Sequence, residues 1–231
     1  MDIPHYPKTN HLPFSKEKDI LEDSDRKNFI HLEGKKIVIE EKVDAQAIGL
    51  FFNEGLLYLL FRGQYYCSQK NISIPKELKN CYEYLKNNEE LFFEILLEEK
   101  IMYGEWMEYN HTINYNKLPS FFLEYDIYDK KEKIFLSTNK RLELLKPYSE
   151  LNSVHVFQTL SQFDYSSFRS IINSNKLSQY GDNLPHEGFY VKVEDDEKVL
   201  ERFKWIEPKF FNDVISDKHW REKLLKKNIL K

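Results

Sequence analysis

The sequence predicts a mixed α+β fold with largely antiparallel sheets and flanking helices. Strand-like and helix-like segments are interspersed along the chain, and several neighbouring strand candidates are joined by short turns that suit hairpins. The 231 residues are 41 % hydrophobic and 31 % charged, which is typical of a globular chain that buries a core. We expect one domain over residues 1–231, with an N-terminal arm at 1–34 and a basic helical tail at 211–231.

The strand predictions depend on β-branched and aromatic runs. KIVIEEK at 36–42 is β-branched and alternating, and the apolar runs AIGLFF and LLYLLF flank Asn53-Glu54-Gly55, a plausible hairpin turn. The remaining strand candidates are IMYGEWM (101–107), FFLEYDIYD (121–129), SVHVFQTL (153–160), HEGFYVKVE (186–194) and VLERFKWI (199–206).

The helix predictions depend on end signals and periodicity. Pro75 occupies a first-turn position before a helical pattern at 76–88, and Ser137 is a good N-cap for the pattern that follows it. Residues 164–175 and the tail at 211–228 also have helical patterns. Residues 91–99, LFFEILLEE, suit either a helix or a strand, because periodicity does not decide so short a run.

Charge and cysteine content narrow the class of protein. The formal net charge is −4, which excludes a global polycation, but residues 198–231 hold ten Lys or Arg against five Asp or Glu. Such asymmetry suits a local phosphate-binding surface. Cys67 and Cys81 lack metal-ligand spacing and are expected to be reduced thiols. No apolar run resembles a signal peptide or reaches the roughly 18 residues of a membrane span, so we expect a soluble, cytoplasmic protein.

One lysine lies between acids at the end of a predicted strand. In IVIEEKVDAQAIGLFF, Glu41 and Asp44 flank Lys42, which is either a solvated strand residue or a nucleophile. Fewer than about one in a thousand free lysine side chains are neutral at pH 7, and only the neutral amine attacks phosphorus. A nucleophilic lysine therefore needs cations or a bound metal nearby. The charged residues elsewhere in the chain decide between the two interpretations.

Six segments in a fixed order contain the other residues that such a site needs. They are EKVDA (41–45), FRGQYY (61–66), YGEW (103–106), FFLEYDIYD (121–129), HEGFYVKV (186–193) and RFKWIEPKF (202–210). Each is weak alone, but the ordered series resembles the covalent nucleotidyltransferase superfamily of ATP-dependent ligases and capping enzymes, and is most similar to the small ATP-dependent RNA ligases. The resemblance covers residues 35–212 and implies a nucleotidyltransferase domain of the ATP-grasp-like ligase type.

The resemblance also implies an activity and its cofactors. Lys42 would carry AMP covalently after reaction with ATP, and Lys192 and Lys204 would supply positive charge to the α-phosphate. Glu187 would coordinate Mg²⁺ or Mn²⁺, since these hard cations prefer carboxylate oxygens. Asp126, in the aromatic–aspartate segment, would belong to the cofactor-binding residues; the alternative is a structural role in fixing Arg62 or a lysine. The partners would be ATP and the 5′-phosphate and 3′-hydroxyl ends of RNA, without a membrane.

The remaining nucleotide-binding residues are assigned on the same resemblance. Glu41 would face the adenine amino group, and Tyr125 would stack on the adenine ring. Asp44 would orient the lysine or contact the ribose, and Glu105 would accept a hydrogen bond from a ribose hydroxyl. Arg62 would contact the ribose or an RNA phosphate.

Two positions depart from the family pattern. Ala45 replaces the glycine that follows the motif aspartate, so either the backbone there is unstrained or activity is reduced. The last motif can also be aligned in two ways. Its basic pair is either Arg202 with Lys204, or Lys204 with the position occupied by Ile206.

Three other functions fit parts of the pattern. A capping-type guanylyltransferase would use the same lysine, but it normally carries a further OB-fold domain, for which this chain is short. A DNA ligase has the same chemistry, although the YGEW and LEYDIYD segments favour RNA ligases. A nucleotide- or RNA-binding protein weakened in catalysis by Ala45 is the alternative that is not an enzyme.

Overall fold

The computed structural model describes residues 6–70, 72–216 and 226–231. The strands of this part are β1 Asn10–His11, β2 Lys36–Lys42, β3 Gln46–Asn53, β4 Leu56–Phe61, β5 Gln64–Tyr66, β6 Lys100–Trp106, β7 Phe122–Asp129, β8 Ile134–Phe135, β9 Asn152–Ser153, β10 Val156–Leu160, β11 Gly188–Glu194 and β12 Val199–Ile206. The α-helices are α1 Lys79–Asn87, α2 Glu89–Leu96, α3 Thr138–Leu145, α4 Tyr165–Ser174 and α5 Pro208–Ser216, and 3-10 helices span Asp23–Leu32, Ser68–Lys70 and Lys76–Leu78.

The strands form two sheets. The first has the order β1-β12-β11-β2-β10, and the second has the order β5-β4-β3-β6-β7-β8 with β9 beside β7. Pairing is antiparallel except between β1 and β12 and between β7 and β9. The α+β class with mainly antiparallel sheets is therefore confirmed. The chain passes from the first sheet to the second in the three residues 43–45, between β2 and β3.

Each sheet has its own hydrophobic core. Helices α1 and α2 pack Leu85 and Phe92 against Phe52 of the second sheet. The 3-10 helix Asp23–Leu32 and helix α4 contribute to a separate core under the first sheet, which contains Trp205. The arm predicted at 1–34 is therefore, where it is described, packed into the domain.

Local sequence signals account for most of the turns and caps. Glu54 and Gly55 join β3 to β4 with φ of 52° and 69°, the left-handed pair of a type I′ hairpin turn. The predicted hairpin is thus confirmed. The Ser137 hydroxyl accepts a hydrogen bond from the backbone of Lys140 at the start of α3. The ambiguous segment 91–99 is largely helical, as α2, and its apolar side chains fill the core of the second sheet.

The helical tail predicted at 211–231 lies partly outside the described residues. Helix α5 is described as far as Ser216, residues 217–225 lie outside the described part, and residues 226–231 are not helical. Asn228 gives the physical reason, because its side-chain amide donates to Met107 O at 2.7 Å and accepts from Tyr115 N at 2.8 Å. These bonds hold the end of the chain against the loop that follows β6.

Candidate active site

A cavity of about 430 Å³ is lined by residues from both sheets. Its lining residues are Tyr6, Lys8, Thr9, His11, Glu40, Glu41, Lys42, Val43, Ala47, Glu105, Tyr125, Val154, Tyr190 and Lys204. The volume lies in the range of small-molecule sites. Five of the ten residues that the sequence assigned to the site are among them, namely Glu41, Lys42, Glu105, Tyr125 and Lys204.

Lys42 is the last residue of β2 and forms an ion pair with the adjacent strand. It lies opposite Gly188 in the β2–β11 register, which brings its Nζ to 2.7 Å from Glu187 Oε1. Its side chain remains 23 % exposed. Burial lowers the pKa of Lys42, but the negative charges of Glu187 and Glu105 outweigh burial and raise that pKa above its ordinary value. In this structure the lysine is therefore held as an ammonium.

Gly188, which follows Glu187, has a steric requirement for glycine. A Cβ built at this position would lie 1.9 Å from the carbonyl oxygen of Trp205 on β12. No side chain fits so close to the neighbouring backbone, so glycine permits the strand approach that places Glu187 beside Lys42. This is the physical basis of the Glu-Gly pair recognised in the sequence.

Glu105 lies on the second sheet and brings a second carboxyl group near Lys42. Burial, together with the charges of Glu187 and Asp44, raises its pKa to about 8, although Lys42 opposes the shift. Its Oε2 is buried and has no hydrogen-bond partner among the described residues. Glu187 and Glu105 thus place two carboxyl groups beside one lysine, Lys42.

The acidic residues fit a divalent cation that is bound jointly with a nucleotide. The part of the chain that the structure describes contains no group of three His, Cys, Asp or Glu residues able to hold a metal ion. Glu187 and the unpartnered oxygen of Glu105 are hard donors, which Mg²⁺ or Mn²⁺ would supplement with phosphate oxygens and water. Bound there, the metal would neutralise negative charge on the phosphates.

Asp44 fixes the loop beside the lysine. Its Oδ2 accepts hydrogen bonds from the backbone of Thr112 at 2.7 Å and Ile113 at 3.2 Å, and its own N–H donates to the Tyr115 hydroxyl at 2.9 Å. The next residue, Ala45, is not among those with positive φ. The backbone at this departure from the family pattern is therefore unstrained, and alanine is accommodated without cost in φ.

Glu41 is buried and already hydrogen bonded. Its carboxylate accepts from the Ser178 hydroxyl at 2.6 Å and from the backbone of Gln179 at 3.0 Å. Burial raises the pKa of Glu41 to about 7, although the two hydrogen bonds lower it. The loop at 178–179 therefore orients Glu41 at the cavity wall. No sequence pattern indicates this contact.

Tyr125 and Arg62 meet at a second, smaller cavity. Tyr125 lines both cavities, and the second one, of about 200 Å³, also contains Arg62. Arg62 and Gly63 form the turn between β4 and β5, with φ of 48° and 76°. The structure thus brings Arg62 next to the main cavity rather than into it.

Lys192 and Asp126 lie outside the cavity lining. The Lys192 ammonium is fully buried, 2.8 Å from Glu40 Oε2 and 2.9 Å from Asp126 Oδ1, and it donates to Tyr125 O at 2.7 Å. A direct contact between Lys192 and a phosphate stays a prediction. The observed bond to the Tyr125 carbonyl indicates instead that Lys192 positions the wall of the cavity.

The structure places the two basic residues of the last motif differently. Arg202 Nε lies 3.3 Å from Asp126 Oδ2, and its guanidinium stacks on Phe135 at 3.9 Å from the ring centroid. Lys204, two residues on, lines the cavity. Ile206 is buried at the end of the strand. Of these three residues, Lys204 is at the cavity, and Arg202 is buried in an ion pair.

Two features of the site were missed by sequence reasoning. A buried ion network joins both sheets to α3 and has equal numbers of acids and bases; its members are Glu40, Glu124, Asp126, Arg141, Lys192 and Arg202. The second feature is the segment from Tyr6 to His11, which lines the cavity. The Tyr6 hydroxyl donates to Asp126 and lies 2.8 Å from the Tyr190 hydroxyl.

The fold and this site define a nucleotidyltransferase-like domain with a lysine at its cavity. The family model described as RNA ligase matches residues 35–206, most of the chain, and the chain belongs to the RNA ligase family. A search of curated proteins finds no match. Among the described residues, no helix is long and apolar enough to cross a membrane.

Solved structures of an RNA ligase from Naegleria gruberi share the fold. The structure with PPi has a TM-score of 0.65 and 15 % sequence identity, covering 92 % of this chain and 58 % of that one. A single-residue variant with ATP and Mn has a TM-score of 0.63 and 15 % identity, covering 88 % and 61 %. The chain thus spans only 58 % and 61 % of the lengths of these two structures.

Proposed function

We propose that the protein is an ATP-dependent RNA ligase that joins 5′-phosphate and 3′-hydroxyl ends through AMP bound covalently to Lys42. The observation that carries the proposal is the position of Lys42, partly exposed at a cavity of nucleotide size and 2.7 Å from a carboxylate that fits a metal. Membership of the RNA ligase family supports the choice of RNA over DNA ends and of ligation over capping.

The first step would be adenylation of the lysine. The neutral Nζ attacks the α-phosphorus of ATP, a nitrogen–phosphorus bond forms, and the bond to the leaving pyrophosphate breaks. Lys204, which lines the cavity, supplies positive charge where negative charge develops on the phosphoryl oxygens. Glu41 and Tyr125 at the cavity wall would bind the adenine, and Glu105 the ribose.

Two further displacements at phosphorus would complete the reaction. An oxygen of the RNA 5′-phosphate attacks the adenylate and the lysine nitrogen leaves. A 3′-hydroxyl then attacks the activated 5′-phosphate, a phosphodiester forms, and AMP is released. One cavity serves all three steps because each is an in-line displacement at a phosphate bound by the same cations.

Lys42 must lose its proton before it attacks. Glu187 opposes this loss, since its charge raises the pKa of Lys42. A metal ion bound by Glu187 and the nucleotide would remove that opposition and add positive charge nearby, and both changes lower the pKa of the amine. The ion pair in this structure would then be a resting arrangement that nucleotide and metal together replace.

Replacement of Glu187 by glutamine separates these two roles. If Glu187 acts only to keep Lys42 charged, Glu187→Gln lowers the lysine pKa and speeds adenylation. If it binds the metal, we expect adduct formation at millimolar Mg²⁺ to fall by about a hundredfold or more, a loss typical of a lost electrostatic contact to the reacting phosphate. Single-turnover labelling with α-labelled ATP measures the rate. Glu197→Gln, at an exposed ion pair with Lys140, is the matched control and should label normally.

The proposed function itself is tested by labelling and end joining. The wild-type protein is incubated with α-labelled ATP or α-labelled GTP and Mg²⁺, and preformed protein–AMP is then given matched RNA or DNA strands. An ATP-dependent adduct followed by joining of RNA supports the proposal. A GTP-only adduct indicates a capping-type enzyme, preferred joining of DNA indicates a DNA ligase, and no adduct with either nucleotide indicates a binding protein.

A further inference from the structure

The loop between β6 and β7, residues 107–121, is held in place by two other parts of the chain. The structure describes all of this loop, which contains no helix and no strand beyond isolated β-bridges. A long irregular loop needs partners outside itself for its backbone N–H and carbonyl groups. These partners come from Asp44 on one side and from residues 226–231, which we call the strap, on the other. The strap and Asp44 therefore bind the same loop.

The strap is anchored by a polar side chain rather than by its apolar ones. Asn228 is 3 % exposed and is the one buried residue of the strap, whereas Ile229 and Leu230 are 56 % and 45 % exposed. The Asn228 amide is bonded at both ends, because Oδ1 accepts from Tyr115 N at 2.8 Å and Nδ2 donates to Met107 O at 2.7 Å. A buried amide is costly unless its hydrogen bonds are made. These bonds therefore fix the strap and the loop relative to each other.

Tyr115 connects the strap to the segment that follows Lys42. Its backbone N–H donates to Asn228, and its hydroxyl accepts from the backbone N–H of Asp44 at 2.9 Å. The Tyr115 side chain is fully buried. A rigid aromatic ring thus spans the distance between the strap and Asp44, so a shift of the backbone at Tyr115 displaces the acceptor of the Asp44 N–H.

Two residues next to Lys42 are bound to the same loop. The Asp44 carboxylate accepts from the backbone of Thr112 at 2.7 Å and of Ile113 at 3.2 Å. The Val43 side chain is buried in an apolar cluster that includes Ile113. Val43 and Asp44 directly follow Lys42 in the chain. The loop therefore fixes the backbone from which the lysine side chain extends.

We propose that Asn228 is a positioning residue of the active site, which acts through Tyr115 and Asp44 to fix the backbone that carries Lys42. The inference rests on the proposed function, which makes Lys42 the nucleophile. Asn228 is not among the described residues that line the cavity, so it positions the lysine rather than contacting the nucleotide. In-line attack needs the nitrogen on the axis of the bond that breaks, and a displacement of about 1 Å can lower the rate about a hundredfold.

The test compares two alanine variants that each lose an amide with two hydrogen bonds. Asn228→Ala removes the bonds to the loop, and Asn173→Ala is the matched control. Asn173 Oδ1 accepts from Leu21 N and its Nδ2 donates to Leu21 O, each at 2.9 Å, and neither residue is among those that line the cavity. We expect Asn228→Ala to lower the rate of adenylation at saturating ATP about tenfold or more, and Asn173→Ala to leave it unchanged. Single-turnover labelling with α-labelled ATP measures the rate, and an equal loss in both variants would overturn the proposal.

Nucleotide binding distinguishes a displaced lysine from a damaged nucleotide site. Calorimetry with α,β-methylene-ATP and Mg²⁺ measures affinity without reaction, because the bond that adenylation breaks is replaced. We expect the affinity of Asn228→Ala to stay within about threefold of the wild type, as for a change that affects only the transition state. A loss of affinity as large as the loss of rate would contradict the proposal, since the strap would then shape the nucleotide site.

Tyr115→Phe breaks the same connection at its second step. It removes the hydroxyl that accepts from Asp44 N and keeps the buried ring. If Asn228 acts through Tyr115, this variant also slows adenylation, and the double variant with Asn228→Ala is as slow as the slower single variant. Two effects that multiply in the double variant would contradict a common route through Tyr115.

The stability of each variant is measured alongside its activity. Urea unfolding followed by circular dichroism gives the folded fraction, and a loss of rate that disappears once the rate is expressed per folded protein would overturn the positioning role. If Asn228→Ala does not fold, Tyr115→Phe alone is measured, and a wild-type rate in that variant contradicts the proposal. A wild-type protein that forms no adduct at all contradicts the proposed function instead.

Discussion

Replacement of Lys42 by alanine should abolish the covalent adduct between the protein and AMP. The nitrogen that forms the bond to phosphorus is then absent, and no neighbouring side chain takes its place, since Lys204 lies on a different strand. Removal of a nucleophile typically lowers the rate by more than about a thousandfold. Mass spectrometry after incubation with ATP and Mg²⁺ measures the gain of one AMP unit per chain, which is expected in the wild type and absent in the variant.

Two further variants show whether the loss of the adduct results from the missing nucleophile. Lys42→Arg keeps the positive charge beside Glu187 but does not lose its proton, so it should fold and still form no adduct. Lys36→Ala, at the opposite end of the same strand, loses an exposed pair with Asp196 and should label like the wild type. An adduct of normal yield in Lys42→Ala would mean that another residue is the nucleophile.

Replacement of Arg141 by methionine should lower the free energy of unfolding by about 3–5 kcal/mol, the usual consequence of removing one member of a buried ion pair. The Arg141 guanidinium is fully buried, 2.6 Å from Glu40 Oε1 and 3.2 Å from Glu124 Oε2. Methionine fills much of the same volume but leaves Glu124 without its cation and Glu40 with Lys192 alone. Urea unfolding followed by circular dichroism measures the change.

The adjacent residue provides a matched control. Lys140 forms an exposed pair with Glu197 at 3.2 Å, and Lys140→Met should change the free energy of unfolding by less than about 1 kcal/mol. Adding Glu124→Gln to Arg141→Met should recover part of the loss, because the remaining amide needs no countercharge. A loss in Arg141→Met no larger than that in Lys140→Met would show that the network does not stabilise the fold.

The acidity of Glu124 predicts how this loss depends on pH. Burial raises the pKa of Glu124 even in the presence of Arg141, which lowers it. Without the arginine this pKa rises further, so the variant is least stable above the raised folded pKa, where the carboxyl is ionised in both states. It regains stability as the pH falls through that raised value towards the unfolded value of about 4.3, below which both states are protonated. The difference in the free energy of unfolding between the variant and the wild type should therefore become smaller at acidic pH.

Much of the site was predictable because its residues lie in local motifs. The Glu54-Gly55 turn has a short-range signal, and Lys192 lies on the predicted strand that begins directly after Glu187. The roles inside the motifs were less predictable. Lys192 looks like a phosphate ligand in the sequence, yet its Nζ is surrounded by Glu40 and Asp126, which come from two other strands.

The sequence by itself determined the α+β class, the family and the lysine at the end of β2, because hairpin turns, strand alternation and ordered motifs are properties of short segments. The tertiary structure alone decided which cations reach the cavity. Lys204 does, Arg202 and Lys192 are neutralised in the interior, and the N-terminal segment adds Lys8. The physical reason is that the effect of a charged side chain depends on the groups that surround it in space. The pairing of β1 with β12, for example, brings together residues almost two hundred positions apart in the sequence.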